Sequence, residues 1–175
     1  MPRSAEQQLL LGELACLGLL YPSPTHGFAI AARLKPAGDV GRVWSLSRAL
    51  TYRCLDQLSA RDLIRPVGEE PGIAGGNRTI LAVTRAGRAQ LRKWLATPVF
   101  HLRDVRSELM LKLIISEICD IDPVAMLKQQ RAHFAHLSDA ISAQVRADPT
   151  DVVTLWRSEF SNASLRFLDR LRTGR

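Results

Sequence analysis

Cysteine is scarce in this chain and never clustered. Cys16, Cys54 and Cys119 lie far apart in apolar stretches, with no Cys-x-x-Cys pair. An odd number of separated thiols argues against a disulfide framework and against a cysteine zinc site. The three read as small buried hydrophobes, with a redox-sensing thiol as the other reading. Long apolar runs are lacking too. Stretches such as Leu109-Met110-Leu111 and Leu113-Ile114-Ile115 are cut by Lys112 and Ser116, far short of the roughly 20 residues a membrane helix needs. Residues 9–20 are apolar but have no basic leader and no convincing cleavage site. A soluble, cytoplasmic chain with no membrane association is expected. There is no glycine-rich phosphate loop between a strand and a helix and no Gly-x-Ser-x-Gly. Metal-ligand clusters are also missing, and the Ser, His and Asp residues are scattered. The sequence therefore predicts no enzyme, no catalytic or metal site and no cofactor.

What is present suits a folded protein. Apolar residues make up 46% and charged residues 23% of the 175, enough for an ordinary core. The length fits two small domains or one domain with an appendage. The formal charge is +7, and it is unevenly placed. Residues 1–100 hold 13 Lys and Arg against 7 Asp and Glu, while residues 101–175 hold 11 against 10. A basic first half is the side that would meet a polyanion.

Leucines at 9, 10, 11, 14, 17, 19 and 20 predict a mostly buried helix over 5–20. Tyr21-Pro22-Ser23-Pro24 stops it, since proline removes a backbone donor and restricts its predecessor. Thr25 can cap a second helix with Phe28, Ile30, Ala31 and Leu34 as apolar positions. A loop over 37–44 carries Arg42 and Trp44. Ser45 or Ser47 then caps a third helix that reaches about Arg61, with Thr51, Leu55 and Leu58 on its apolar side. Three short helices with a connector before the third make a helix-turn-helix. Leu63–Val67 reads as a strand, 69–77 as a mobile Gly- and Pro-containing turn, and 78–83 as the returning strand. A hairpin directly after the third helix is a wing. Thr84 caps a further helix carrying Leu91, Trp94 and Leu95.

The second half reads as purely helical. Residues 103–119 are apolar around most of the helix, leaving a narrow polar stripe of Asp104, Glu108, Lys112 and Ser116. Asp122-Pro123 opens a helix with Val124, Leu127, Phe134, Ile141 and Val145 near heptad spacing, interrupted by Arg131 and Ser138. Asp148-Pro149 ends it. A last helix over 151–172 shows Val152, Trp156, Phe160, Ala163, Phe167 and Leu171 on one stripe. Three helices cannot easily cover all these faces, so a second copy of the chain is expected to cover them as a homodimer; packing against the first helix is the alternative. The fold class is thus mainly α with a small β-hairpin wing. A winged helix-turn-helix is expected over 1–98 and a helical dimerisation domain over 99–175.

These residues resemble the PadR-like transcriptional regulators. Leu17-Gly18-Leu19-Leu20 followed by Thr25-His26-Gly27-Phe28 is similar to that family's "hGY" segment, with Phe for Tyr. Residues 50–58 (LTYRCLDQL) resemble its third-helix "tlYpaLkrL", Asp62-Leu63-Ile64 its "GLI", and residues 77–87 its wing strand and "YrlTeaG" helix start. The matches run in order over residues 9–95. Glu108–Leu113 and Leu165–Asp169 resemble the helical dimerisation part more loosely. Leu81 stands in place of the wing tyrosine, Asp62 in place of a glycine, and Leu50-Thr51 inverts the usual order.

The resemblance implies a DNA-binding regulator, a repressor released by a small and often aromatic effector near the dimer centre. The third helix would enter the major groove by its first turns, which nominates Ser47, Arg48, Thr51, Tyr52 and Arg53. Arginine can reach guanine with two donors, and Ser and Thr can bond bases or phosphate. The family match points to Tyr52 as a DNA contact through its hydroxyl. Arg42, Arg65 and Arg78 are phosphate or minor-groove candidates. The partner would be double-stranded DNA with a pseudo-palindromic operator. His133, Phe134, His136 and Trp156 are the candidates to line an effector pocket. His133 and His136 have metal-ligand spacing but no acidic or thiol partner nearby in sequence, so surface histidines are expected. A winged-helix adaptor that binds protein instead of DNA is the rival reading. The five arginines on the third helix, loop and wing favour DNA.

Overall fold

The computed structural model describes residues 8–72 and 76–173. It is mainly helical with one small antiparallel sheet. Helix α1, Leu11–Leu20, buries nearly every residue. Residues 8–10 are not helical, and 5–7 of the expected helix lie outside the described residues. Glu13 is buried in α1, where its carboxylate accepts the Leu10 N–H at 2.7 Å and stands 3.7 Å from Arg61.

Thr25 does not cap the next helix. Thr25–His26 is a two-residue strand, β1, paired with Leu81 and Ile80. Extended pairing runs through His26, so the cap moves one residue on. His26 Nδ1 accepts the Ala29 N–H at 3.0 Å and opens helix α2, Gly27–Leu34. The connector folds back on α2: Gly41 N–H donates to the Arg33 carbonyl and Leu46 N–H to the Leu34 carbonyl. Arg33 grips Asp39 through both ends of its guanidinium, which holds that carboxyl below its ordinary value. Ser47 is the cap of helix α3, Arg48–Ala60, its hydroxyl accepting the Leu50 N–H at 3.2 Å.

Helix α3 ends in a left-handed residue. Asp62 has φ +53°, Leu63 N–H donates to the Leu58 carbonyl and Asp62 N–H to the Ser59 carbonyl. This is the six-to-one and five-to-two pattern of a Schellman cap, whose left-handed position favours glycine. Asp120 (φ +52°) ends a later helix in the same way. A side chain in this region costs energy, so Asp62→Gly is expected to raise stability by about 0.5–1 kcal/mol. Thermal unfolding checks it; a lower Tm would mean that the carboxylate contributes more than the strain it suffers.

Strands β2, Ile64–Pro71, and β3, Asn77–Val83, form the wing, and the sheet order is β1-β3-β2. Both strands outrun their expected ends because Glu69 pairs with Thr79, Glu70 with Arg78 and Pro71 with Asn77. The expected turn at 69–77 shrinks to 72–76, of which 73–75 lie outside the described residues. Pro66 is tolerated because β2 is an edge strand with a bulge between Pro66 and Gly68. Thr84 caps helix α4, Arg85–Ala96, its hydroxyl accepting the Gly87 N–H at 3.1 Å.

The chain divides into two compact units, and the division differs from the expected one at 98/99. Leu111–Ile121 joins the first unit, and Leu95–Met110 joins the residues from Asp122 on. The single helix expected over 103–119 is broken. Leu102–Asp104 is a tight 3-10 turn, Val105–Leu109 a wide π turn, and helix α5 runs Met110–Ile118. Within the first unit α5 packs on α1 so closely that a Cβ on Gly18 would lie 2.5 Å from Ile115 Cγ2. The Cys119 thiol donates to the Gly18 carbonyl, and the Lys112 ammonium lies 5.2 Å from the Trp94 ring centre. The apolar faces of this segment are thus covered from within the chain.

In the second unit, helices α6, Val124–Ala147, and α7, Val152–Thr173, form an antiparallel hairpin. The two interruptions of the heptad stripe are its polar clasps. Arg131 pairs with Asp169, whose carboxyl it lowers, and Ser138 donates to Asn162. Leu127, Phe134 and Ile141 are buried as expected, whereas Val124 is exposed. Gln130 ties the segment before α5 to α6 by two bonds to the Val99 backbone. On α7 the buried residues are Thr154, Ser161, Ser164 and Leu168 instead of the aromatic stripe. Small residues let the helices approach closely and leave Trp156 62% exposed, stacked on Phe160. Among the described residues no helix is long and apolar enough to cross a membrane.

Candidate nucleic-acid interface

A cleft of the first unit lies between α3 and the wing and holds about 870 Å³. Arg48, Tyr52, Asp56 and Ser59 line it from α3; Asn77, Arg78, Thr79 and Leu81 line it from β3. His26 and Phe28 form its end at the start of α2. Of the residues nominated from sequence, the cleft gathers Arg48, Tyr52 and Arg78.

The arginines are organised by one aromatic ring. Phe28 is 48% exposed, with the Arg48 guanidinium 5.6 Å and the Arg78 guanidinium 5.2 Å from its centre. Arg48 also lies 5.7 Å from the Tyr52 ring. Guanidinium groups over ring faces are attracted by the π cloud and hold their direction while their donors stay available. Tyr52 in turn packs on the start of α2, since a Cβ on Gly27 would lie 3.0 Å from Tyr52 Cε1. A side chain at 27 would press on the ring, so the tyrosine lies between α2 and Arg48 with part of its surface in the cleft.

His26 links this cluster to the wing. Its Nδ1 is occupied as the cap acceptor, so the neutral ring carries its proton on Nε2. That nitrogen lies 3.0 Å from Glu70 Oε1 and 3.4 Å from Arg78 Nη1. Glu69 accepts from Asn77 at 2.7 Å. Both wing carboxylates are therefore engaged by neighbours, which tempers their repulsion of an anion. His26→Ala is expected to cost about 0.5–2 kcal/mol of stability through the lost cap. His26→Asn, which keeps a cap acceptor, should recover most of it in thermal unfolding; an equal loss in both would place the contribution in the Glu70 contact.

The other nominated residues stand outside the cleft. Thr51 is fully buried and its hydroxyl donates to the Ser47 carbonyl, so it is a core residue and not a DNA candidate. Its apolar spacing with Leu55 and Leu58 was the stronger signal. Ser47 spends its oxygen on the cap. Arg42 is exposed in the connector, its Nε donating to the Asp39 carbonyl at 3.1 Å. Arg53 and Arg65 are exposed on α3 and β2. Leu50, 47% exposed near the start of α3, adds an apolar contact that the sequence reading had not singled out.

The four effector candidates do not share one environment. Phe134 is fully buried in the second unit, which removes it as an accessible lining residue. His133 is half-buried and its Nε2 lies 2.9 Å from the Phe100 carbonyl. His136 and Trp156 are exposed on α6 and α7. No group of three or more metal-ligating side chains occurs among the described residues.

Neither a family model nor a curated protein matches the chain. Among solved structures, it is similar to PadR of Bacillus subtilis in complex with operator DNA, at 16% identity over 91% of this chain and 95% of that one, with a TM-score of 0.47. The same protein in complex with p-coumaric acid gives 16% identity, 93% and 96% coverage and a TM-score of 0.46. A PadR-like transcriptional regulator from Bacillus cereus gives 18% identity, 96% and 97% coverage and 0.43. Similarities of this size leave the reading of the site to its own geometry.

Sequence reasoning missed His26 and Phe28 as members of the site. His26 had a signal: its ring nitrogen, directly before Gly27, can accept a helix N–H as the Thr25 hydroxyl can. Phe28 was placed on the apolar side of α2. Nothing in a single sequence marks the outward turn of one aromatic residue in a short helix.

Proposed function

We propose that this protein is a cytoplasmic, non-enzymatic DNA-binding transcriptional regulator. It would read double-stranded DNA with the outer face of α3 and the β2–β3 wing. One observation carries the reading: Arg48 and Arg78, 30 positions apart in sequence, converge on Phe28 in one cleft beside Tyr52. Arg48 has the reach and fork geometry for a guanine edge, and Leu50 can meet a thymine methyl. Arg78, Arg42, Arg53 and Arg65 supply phosphate contacts that set register and overall affinity.

We further propose that it acts as a homodimer through the uncovered stripe of α7. Val152 and Trp156 are exposed beside the half-buried Phe160, the kind of apolar patch that marks an interaction site. A two-fold arrangement would present two α3 helices to half-sites about one helical turn apart, on a pseudo-palindromic operator. Repression released by a small aromatic effector is the regulatory mode that the sequence resemblance implies. Trp156, His136 and the half-buried His133 are the candidates left for its site.

The adaptor reading keeps one specific observation. Phe28, Leu50 and Tyr52 expose apolar surface on the same unit as the arginines. Salt dependence separates the two readings. Anisotropy of a labelled duplex from the protein's own promoter should show log affinity falling steeply with log salt, by about 0.9 per phosphate neutralised. Weak, salt-insensitive binding would favour the adaptor.

A further inference from the structure

The thiols of Cys16 on α1 and Cys54 on α3, 38 positions apart, meet in the first unit. Cys16 is fully buried and the two side chains are hydrogen-bonded to each other. The place where they meet is tight. A Cβ on Gly12, one turn before Cys16, would lie 3.0 Å from Cys54 Sγ and 3.2 Å from Leu46 Cδ1. The absence of a side chain at 12 lets Cys54 reach α1. Cys54 keeps part of its surface in solvent, so a small reagent can reach it where it cannot reach Cys16.

We propose that Cys16 and Cys54 form a peroxide-oxidisable dithiol that closes to a disulfide between α1 and α3 and weakens DNA binding, an effect that rests on the reading of α3 given above.

The two thiols are unequal in the way the chemistry needs. The hydrogen bond from Cys16, helped by the neighbouring Arg53 charge, lowers the Cys54 thiol below its ordinary value against the pull of burial and Glu13. The same bond, with burial, raises Cys16. Cys54, the thiol that solvent can reach, is the attacking group, and the fully buried Cys16 is the resolving thiol. The Cys54 thiolate attacks one oxygen of hydrogen peroxide, the O–O bond breaks, and sulfenic acid and hydroxide form. Cys16 sulfur then attacks the sulfenic sulfur. The S–S bond forms, the S–O bond breaks, and the departing hydroxide takes up the Cys16 proton as water. Two thiols and one peroxide give one disulfide and two waters, and an external dithiol reverses the step. Cys119, bonded to the Gly18 carbonyl and pushed up to about 11 by burial, stays outside this chemistry.

Hydrogen-bonded sulfurs stand well apart compared with the roughly 2.05 Å of a disulfide. Closing that gap draws the middle of α3 toward α1, against Leu46, which directly precedes the α3 cap. Arg48 and Tyr52 ride on α3, whereas Phe28 and Arg78 sit on α2 and β3. The alignment of the two arginines across Phe28 is what such a shift spoils, and a displacement of about 1 Å is enough to disable a preorganised site.

The test treats the full-length protein with a small excess of hydrogen peroxide. The expected product is lighter by two hydrogens, gives a linked Cys16–Cys54 peptide, and reverts with dithiothreitol. Its affinity for a duplex bound by the reduced protein should fall at least about tenfold. Cys54→Ser should lose both effects and Cys119→Ser should keep both. If Cys54→Ser fails to fold, Cys16→Ala serves, with Cys54 then stopping at sulfenic or sulfinic acid. Peroxidation without the linked peptide, or a linked peptide with unchanged affinity, overturns the proposal. The peptide map is read without DNA, so failure of the reduced protein to bind any duplex would instead overturn the reading of α3.

Discussion

Arg48→Ala is expected to weaken binding to the specific site about 10- to 100-fold, the scale of one bidentate contact to a base. Binding to unrelated duplex should fall far less. The asymmetry follows from position. Arg48 stands at the first position of α3, the end that the proposed reading sends toward base edges, and its guanidinium lies near the Phe28 and Tyr52 rings. Paired titrations on specific and unrelated duplexes check it. An equal loss on both would make Arg48 a phosphate contact. Phe28→Leu offers a companion measurement. It keeps apolar volume but removes the π face, so it should weaken specific binding with little change in Tm.

Trp156→Asp is expected to break the proposed dimer. Truncating a central aromatic anchor costs about 2–4 kcal/mol, which is about 30- to 1,000-fold in dimer affinity, and an added buried charge raises that cost. Trp156 is the centre of the uncovered stripe, stacked on Phe160 within its own helix. It is mostly exposed, so the fold should survive. Sedimentation should report a monomer with unchanged helical circular dichroism. Specific DNA affinity should collapse with it, because a monomer reaches only one half-site. A dimer that persists would show that α7 is not the interface.

Much of the first unit was legible because its signals are local. Prolines at 22 and 24 stop α1, Ser47 and Thr84 cap their helices, and alternation with Gly and Pro marks the wing. What could not be read depends on partners distant in sequence. β1 exists only because Ile80 and Leu81 pair with it. The same pairing moved the cap from Thr25 to His26. Residues 111–121 belong with α1 in the first unit, and apolar periodicity has no signature for a π turn inside a continuous apolar stretch.

The second unit shows a different limit. Periodicity gave α7 a stripe of large residues that a second copy of the chain was expected to cover, but it did not mark the face that closes the hairpin. The hairpin instead closes on Thr154, Ser161 and Ser164. Size decides here: small residues permit close helix contact, and Trp156 is left exposed with Phe160 and Phe167 half-buried. Of the candidate site, the arginines were legible from charge and motif. The ring that gathers them was not, because its role depends on β3 and α3 meeting at α2.

The central claim is that α3 and the wing read DNA sequence. Selection of bound duplexes from a random-sequence pool by the full-length reduced protein tests it most directly. The expected result is enrichment of one motif with two-fold symmetry and half-sites about one helical turn apart, bound about 10³-fold or more above unrelated DNA. Loss of that enrichment in Arg48→Ala would tie it to α3. Folded protein that enriches no motif through successive rounds would contradict the account.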